Sequence, residues 1–296
     1  MKKQHTYLKI KSNFSSPLGA RGFLLLFAFI SVSAFSQQKI KLVILHTNDT
    51  HSQVESTEKS TLKTSDMGGY ARRMGEISQI REQEKNVLLV DAGDYSQGSP
   101  YFNFFNGRVE IDAMNRMKYD AGTLGNHEFD NGIDTLAVVL KRAKFQELSC
   151  NYGVTNTPLN GILKPYTILM RNGLKIGILG LGVNPESLIF QKNYRGLIYS
   201  NPLAKANEIS TYLKEKEKCN VIICLSHLGA NKSETEPNDF DIAHKTHFID
   251  VIIGGHSHSL ITDTIEKNAD GKPVVIAQMG KSGLYLGRID LQLEKK

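Results

Sequence analysis

Five segments of the sequence carry Asp, Asn or His directly after an apolar run that is typical of a buried strand. Carboxylate and amide oxygens together with imidazole nitrogens are suitable ligands for hard or borderline divalent ions. Any one of these segments alone would pass as a surface turn, but five of them after successive strands indicate a shared site. The residues predicted to be metal ligands are Asp49, His51, Asp94, Asn126, His227, His256 and His258.

The spacing of two ligand pairs indicates how an ion could be held. In an extended segment, side chains two positions apart point in the same direction, so Asp49 and His51 can bind one ion together. The same argument applies to His256 and His258. Two metals about 3.5–4 Å apart need a shared ligand. Asp94 is the predicted bridge, because a glycine precedes it and lets the backbone turn tightly.

Two metal ions held in this way could hydrolyse a phosphate ester. A water that bridges two metals becomes a hydroxide near neutral pH and attacks phosphorus in line with the leaving oxygen. The amide of Asn126 can bind a metal and still donate a hydrogen bond to phosphate. His127, oriented by Asp130, can stabilise charge or protonate the leaving group. We therefore predict catalytic roles for these three residues, and we expect Glu128 to support the site structurally rather than to bind metal.

The elements that must position these residues alternate along the chain as in an α/β domain. Continuous apolar runs are typical of strands buried on both faces. Asn172-Gly173 lies between two apolar runs and predicts a hairpin, so the sheet is mixed or there are two sheets. Open α/β sheets bind ligands at the carboxyl ends of their strands, so we expect the five polar segments to meet at that edge.

Hydrophobic periodicity and turn residues give the bounds of these elements. The predicted strands are 42–46, 87–91, 121–124, 166–170, 175–180, 221–226, 251–254, 274–278 and 284–293. The predicted helices are 69–84, 109–117, 133–144, 202–216 and 239–246.

The first 36 residues have the pattern of a signal peptide that is removed on export. A basic stretch is followed by an apolar run from Gly22 to Phe35, and Ala34-Phe35-Ser36 fits a small-x-small cleavage site. An uncleaved membrane anchor is the alternative, but this run is short for a span of about 20 residues. Cleavage would leave residues 37–296 as one domain, without a later membrane span, in the periplasm or outside the cell.

Charge and cysteine content argue against two other classes of function. The formal net charge is +6, but five of the 36 Lys and Arg residues lie in residues 1–36, which contain no acid. The remainder nearly balances the 30 acidic residues, so charge gives no support for general nucleic-acid binding. The three cysteines form no CxxC pair, which argues against a thiolate metal site, and their odd number leaves at least one thiol unpaired.

Five strings of the sequence resemble, in order, the calcineurin-like metallophosphoesterase domain of secreted 5′-nucleotidases and UDP-sugar hydrolases. The strings are LHTNDTH (45–51), VDAGD (90–94), YDAGTLGNHEFDNG (119–132), VIICLSHLG (221–229) and IDVIIGGHSH (249–258). The resemblance spans about residues 40–290, and GNHEFD with a later GGHSH is a specific combination. It implies an α/β fold built as a four-layer α/β/β/α sandwich of two mixed sheets flanked by helices.

The resemblance also implies how the ligands are divided between two divalent ions, with His127 and Asp130 as the catalytic dyad. The position of His258 varies within the family, so Zn, Mn, Co and Mg all stay open as the resident metals. The implied ligand sets are Asp49, His51 and His258 for the first ion and Asn126, His227 and His256 for the second, with Asp94 in both.

Full-length members of that family carry a C-terminal domain with phosphate-binding arginines and an aromatic clamp for the nucleobase. We expect that domain to be absent here, because the sequence stops at Lys296 directly after a predicted strand. The expected substrate is a small phosphate monoester, such as a 5′-nucleotide. Two alternatives stay open: a catalytic subunit that needs a separate specificity-domain chain, and a phosphodiesterase acting on UDP-sugars or cyclic nucleotides.

Overall fold

Two six-stranded sheets form the centre of the protein in a computed structural model that describes residues 2–11, 39–59, 63–233 and 235–294. The first sheet contains β1 (Lys2–Lys11), β2 (Lys39–Thr47), β3 (Val87–Asp91), β4 (Ala121–Thr123), β5 (Gln146–Leu148) and β14 (Tyr285–Glu294). Its spatial order is β1-β14-β2-β3-β4-β5. β2 to β5 run parallel, whereas β14 is antiparallel to β2, so the sheet is mixed.

The second sheet is also mixed. It contains β7 (Tyr166–Arg171), β8 (Leu174–Leu181), β10 (Val221–Ser226), β11 (Val251–Gly254), β12 (Leu260–Lys267) and β13 (Pro273–Met279) in the order β12-β13-β11-β10-β8-β7. The four inner strands are parallel, and the two outer strands are antiparallel to their neighbours. β7 and β8 form the predicted hairpin, with positive φ values of 48° and 80° at Asn172 and Gly173. β6 (Tyr152–Gly153) and β9 (Ile198–Tyr199) pair separately.

Helices cover the outer face of each sheet and give the predicted four layers, so the fold prediction is confirmed. Ile77, Ile111 and Leu136 come from three helices that pack on the first sheet. Leu213 and Ile242 come from two helices that pack on the second. The helices are α1 (Tyr70–Gln83), α2 (Pro100–Phe105), α3 (Arg108–Met117), α4 (Ile133–Leu140), α5 (Pro202–Glu215) and α6 (Asp239–Lys245), and 3₁₀ turns occupy His127–Phe129, Pro185–Ser187 and Gln191–Asn193.

The continuous apolar sequence of β2 follows from burial on both faces. Leu42 and Ile44 belong to the cluster between the sheets, whereas Val43 and Leu45 pack against the helices of the outer layer. Successive side chains of a strand point to opposite faces, so both sets must be apolar. Burial of each such side chain contributes about 1.5–3 kcal/mol. This packing on both faces fixes the position of the carboxyl end of β2. The first polar ligand segment follows directly after it.

The N-terminal segment shows one feature that the sequence did not predict. Lys2–Lys11 forms β1, which pairs in parallel with β14 at the edge of the first sheet. The apolar run from Gly22 to Phe35 lies outside the described residues, so cleavage of a signal peptide stays a prediction. Among the helices within the described ranges, none combines the length and apolar character needed to cross a membrane.

Candidate metal centre

The polar segments that follow β2, β3, β4, β10 and β11 meet at one edge of the two sheets. Within the first sheet, the N–H of Asp49 donates a hydrogen bond to the carbonyl of Gly93 over 2.9 Å. Across the two sheets, the N–H of His256 donates to Asp49 Oδ1 over 3.0 Å. His227 Nδ1 donates to the carbonyl of Ala92 over 2.7 Å. The structure therefore brings together the segments that the sequence places after these strands.

Six of the seven predicted ligands form two groups in which the donor atoms lie within 4.8 Å of one another. His51 Nε2 lies 3.0 Å from His258 Nε2, and His258 Nε2 lies 3.5 Å from Asp49 Oδ1. The four ligands of a tetrahedral zinc ion, at about 2.0–2.1 Å from it, are separated by roughly 3.3 Å. The first group contains Asp49, His51 and His258, and the second contains Asp94, His227 and His256. These are parts of the two sets that the resemblance implies, which also place Asp94 with the first ion and Asn126 with the second.

Asn126 and His127 lie directly beside these groups. The amide oxygen Oδ1 of Asn126 is 3.1 Å from His256 Nδ1, so the seventh predicted ligand adjoins the second group. A ring nitrogen of His127 lies within 4.8 Å of donor atoms of His51 and Asp94, which makes a third possible ligand group. The assignment of each residue as a metal ligand or as a catalytic group stays a prediction.

His227 shows that the second group suits a metal ion. Its Nδ1 carries the proton that is donated to the carbonyl of Ala92, so Nε2 presents a lone pair in the neutral ring. Nε2 is buried and makes no hydrogen bond, although it lies 3.0 Å from Asp94 Oδ2. A buried imidazole nitrogen without a hydrogen bond, facing a carboxylate at this distance, is the arrangement in which both groups bind one cation.

Without a bound metal, a proton on His227 balances the negative charge of Asp94, and a metal ion bound by both residues would replace that proton. Burial opposes ionisation of both His227 and Asp94, yet the attraction between them raises the pKa of His227 to about 10 and holds the pKa of Asp94 below its ordinary value. Burial lowers the pKa of His51 and of His256 to about 4 each. These two rings are therefore neutral at pH 7, and their lone pairs are available to a metal.

Glu128 holds the segments that carry Asp94 and Asn126, as expected for structural support. Its Oε2 accepts hydrogen bonds from the N–H of Asp94 over 3.0 Å and from the N–H of Gly125 over 2.7 Å. Its Oε1 accepts from the N–H of Ser96 over 3.0 Å. A Cβ on Gly125 would overlap the carboxylate of Asp94, so a glycine is needed for this close approach.

Asn48 and Gln278 are further supporting residues, which the sequence reasoning missed. Asn48 donates to Asp49 Oδ2 over 2.6 Å, and its Oδ1 accepts from the N–H of Met279 over 2.8 Å. Gln278 is fully buried and binds the loop that carries His256 and His258. The signal that could have found Asn48 is its position directly after an apolar strand and directly before a predicted ligand.

The predicted dyad is assembled at the surface of the site. His127 Nδ1 lies 2.8 Å from Asp130 Oδ2, and both side chains are partly exposed. The hydrogen bond to Asp130 is the main cause of a raised pKa for His127. Asn193 donates to the carbonyl of Asp130 over 2.9 Å, which ties the dyad to the turn Gln191–Asn193. The ring of His127 can therefore hold a proton beside the two ligand groups.

The structure corrects the expectation that His256 and His258 share one ion. His258 belongs with Asp49 and His51, whereas His256 lies in the other group. The expectation assumed extended backbone, but φ is 68° at His256 and 53° at His258. Asp49 and His51 also have positive φ, of 47° and 45°, and yet share a group. Left-handed backbone therefore removes the basis of the extended-strand argument for both pairs and does not itself decide which residues share an ion. Left-handed residues cost about 1–3 kcal/mol each and cluster at functional sites.

The sequence of this chain is similar to those of known proteins. Residues 42–260 match the sequence profile of the calcineurin-like phosphoesterases. The snake venom 5′-nucleotidase of Naja atra is 35% identical, with 86% of this chain and 51% of that protein covered. The human 5′-nucleotidase is 33% identical, with 86% and 47% covered. The chain thus spans about half the length of these curated relatives.

A solved structure shows the same fold. The calcineurin-like phosphoesterase from Bacillus subtilis superposes with a TM-score of 0.72 at 32% sequence identity, covering 88% of this chain and 87% of that one. The likeness therefore covers most of both chains.

Proposed function

Because the chain belongs to the calcineurin-like phosphoesterase family, we propose that it hydrolyses phosphate monoesters of nucleotides with the help of two divalent ions. The observation that carries this proposal is that the seven predicted ligands meet at one sheet edge. Asp94 contacts His227 through one oxygen and the backbone of His127 through the other. The relatives named 5′-nucleotidase support a nucleotide as the substrate.

The residues of the chain would have the following roles in this reaction. Two divalent ions, when bound, supply an activated water and neutralise charge on the phosphoryl oxygens. The amide of Asn126 can hold a phosphoryl oxygen through its N–H groups. His127 Nδ1–H donates to Asp130, so the opposite nitrogen Nε2 can carry a proton to the leaving oxygen. A proton on His127 is favoured because Asp130 raises the pKa of the ring.

The test is a metal-dependent phosphatase assay on the purified chain. We expect hydrolysis of AMP and of an aryl phosphate with Mn²⁺, Co²⁺, Zn²⁺ or Mg²⁺, loss of activity on chelation, and recovery when metal is returned. UDP-glucose and a cyclic nucleotide test the phosphodiesterase alternative. An Asp94→Ala variant that kept full activity would overturn the mechanism.

A second candidate function is that of a catalytic chain that works with a separate specificity domain. It is favoured by two exposed aromatic rings, which are large apolar surfaces suited to contact with a second protein. Phe104 on α2 and Phe190 beside the turn that binds Asp130 are each 79% exposed. If this candidate is right, kcat/KM for AMP rises strongly when a secreted protein of that kind, encoded next to this one, is added. Equal rates with and without it would argue for the single chain.

Export is part of the same proposal. The basic and apolar segments of residues 1–36 support a periplasmic or extracellular location. N-terminal sequencing of the protein recovered from the periplasm or the medium tests it, with Gln37 as the expected first residue.

A further inference from the structure

A cavity of about 210 Å³ adjoins the candidate metal centre on the side of His256. His256 and Ser257 are among its lining residues, and most of the others belong to the segments that follow β8 and β10. Pockets for drug-sized ligands usually enclose about 300–1,000 Å³. This cavity therefore admits a group about the size of a sugar ring next to the predicted ligands, rather than a whole nucleotide.

Glu236 is an acidic residue in the wall of this cavity, and its carboxylate is held in place from two sides. Asn184 Nδ2 donates to Oε1 over 2.8 Å, and the hydroxyl of Tyr199 donates to Oε2 over 2.8 Å. A carboxylate can accept about four hydrogen bonds. Each oxygen thus retains acceptor capacity, and its position is fixed before any ligand enters.

The wall also includes apolar surface. Val183, Leu188 and Leu228 contribute to the lining, and Leu188 is 46% exposed. A fixed acceptor together with an apolar surface matches a sugar, which presents hydroxyl donors at its edge and C–H groups on its face.

We propose that this cavity binds the hydroxyl-bearing leaving group of the phosphate ester, with Glu236 accepting hydrogen bonds from two adjacent hydroxyls. The inference rests on the proposed function and narrows it: the preferred substrates are monophosphates of sugars, including the ribose of a nucleotide. The nucleobase of such a substrate extends out of the cavity, so the cavity does not discriminate between bases.

The alternative role of Glu236 is to brace the loop that contains it through Asn184 and Tyr199. The two roles predict different effects of a Glu236 substitution on the hydrolysis of different phosphate esters. A brace affects every phosphate ester equally, whereas a hydroxyl acceptor affects only esters that carry the hydroxyls.

The experiment compares AMP, 2′,3′-dideoxy-AMP and phenyl phosphate as substrates of the wild type and of Glu236→Gln. Hydrogen bonds to a charged group are strong enough that the wild type should prefer AMP over the dideoxy analogue by about tenfold or more in kcat/KM. Glu236→Gln should remove most of that preference through KM and leave phenyl phosphate within about twofold of the wild type. Glu208→Gln is the matched control, since Glu208 is an exposed acidic residue on α5. It should leave kcat/KM unchanged for all three substrates.

Two results would overturn the inference: a wild type that does not distinguish AMP from its dideoxy analogue, or an equal loss on all three substrates in Glu236→Gln. Failure of the proposed function looks different, because phenyl phosphate would then not be hydrolysed with any metal. In that case calorimetry measures the affinity of the wild type for AMP and for dideoxy-AMP. Equal affinities would overturn the proposed subsite.

Discussion

The backbone N–H of His127 donates a hydrogen bond of 2.9 Å to Oδ1 of Asp94. The other oxygen of this carboxylate, Oδ2, lies 3.0 Å from His227 Nε2. Asp94 therefore contacts both the second ligand group and the backbone of the predicted dyad. Because one carboxylate fixes both, a change at Asp94 should affect metal binding and the position of the proton donor together.

Asp94→Asn keeps the shape of the side chain but removes its charge. A neutral amide attracts a divalent ion far less than a carboxylate does, and the buried His227 loses its counter-charge. We expect metal affinity to fall by at least about 100-fold, since changes to supporting residues alone cost 10–100-fold. Metal content after dialysis and the phosphatase rate at saturating Mn²⁺ check this. Wild-type metal content in the variant would contradict the role of Asp94 as a shared ligand.

Asp130→Asn tests whether His127 acts as a general acid. The amide cannot stabilise a protonated ring as the carboxylate does, so proton donation to the leaving oxygen weakens. The loss in kcat should be about 100-fold or more for an alkyl phosphate, whose leaving group needs the proton. It should be much smaller for p-nitrophenyl phosphate, whose leaving group is stable without it.

The control for this comparison is Asp134→Asn, since Asp134 is an exposed carboxylate nearby that pairs with Arg195 instead of a histidine. Asp134→Asn should leave kcat unchanged for both substrates. Equal losses on the two substrates in Asp130→Asn would show that the dyad only positions the phosphate.

The regular elements could be predicted where the apolar pattern is strong. Val87–Asp91, Val221–Ser226 and Val251–Gly254 have the bounds that their apolar runs predict, because each strand is buried on both faces. β12 (Leu260–Lys267) was missed, since its sequence LITDTIEK has neither a continuous apolar run nor a regular alternation. β5 (Gln146–Leu148) was missed because three residues give too short a pattern.

The site was predictable in composition but not in geometry. Residue types and strand ends pointed to the seven candidate ligands, which the structure brings together. The alternation argument is not a guide to which histidines share an ion, because all four residues to which it was applied have left-handed rather than extended backbone, and positive φ at non-glycine positions cannot be read from the sequence. Gln278 escaped notice because its role depends on β13 lying next to β11, which is a tertiary relationship.

Asp250, at the amino end of β11, gives a prediction about stability and pH that does not involve the metal centre. Burial raises the pKa of its carboxyl to about 6, although the N–H of Ile222 donates to Oδ2 over 2.9 Å. The unfolded chain ionises near pH 3.9, so the folded state binds more protons between about pH 4 and 6. The free energy of unfolding therefore falls as the pH rises through this window.

Asp250→Asn keeps an acceptor for Ile222 and cannot ionise. Relative to the wild type, its free energy of unfolding should rise by up to about 2 kcal/mol between pH 4 and pH 7. Urea unfolding of both proteins at pH 4, 5, 6 and 7 measures the difference. A difference that stays constant with pH would contradict the raised pKa.

Gln278 connects the last strands of the second sheet to the loop of His256 and His258. Its Nε2 donates to the carbonyl of Gly255, and its Oε1 accepts from the hydroxyl of Ser257 over 2.8 Å. The N–H of Ser259 donates to the same oxygen. Because His256 and His258 lie in different ligand groups, this one amide sets the position of both groups.

Gln278→Met retains the length of the side chain and removes all three hydrogen bonds. The loop then loses the contacts that hold its left-handed residues, so we expect Mn²⁺ affinity to fall by about 10–100-fold, while excess Mn²⁺ restores most of kcat. Competition with a chelator measures the affinity, and thermal unfolding shows that the variant is folded. Gln292→Met on β14 is the matched control, since Gln292 pairs with Lys41 in the other sheet, and it should bind Mn²⁺ as the wild type does. If Gln278→Met also binds Mn²⁺ with wild-type affinity, the amide stabilises the sheet without positioning the ligands.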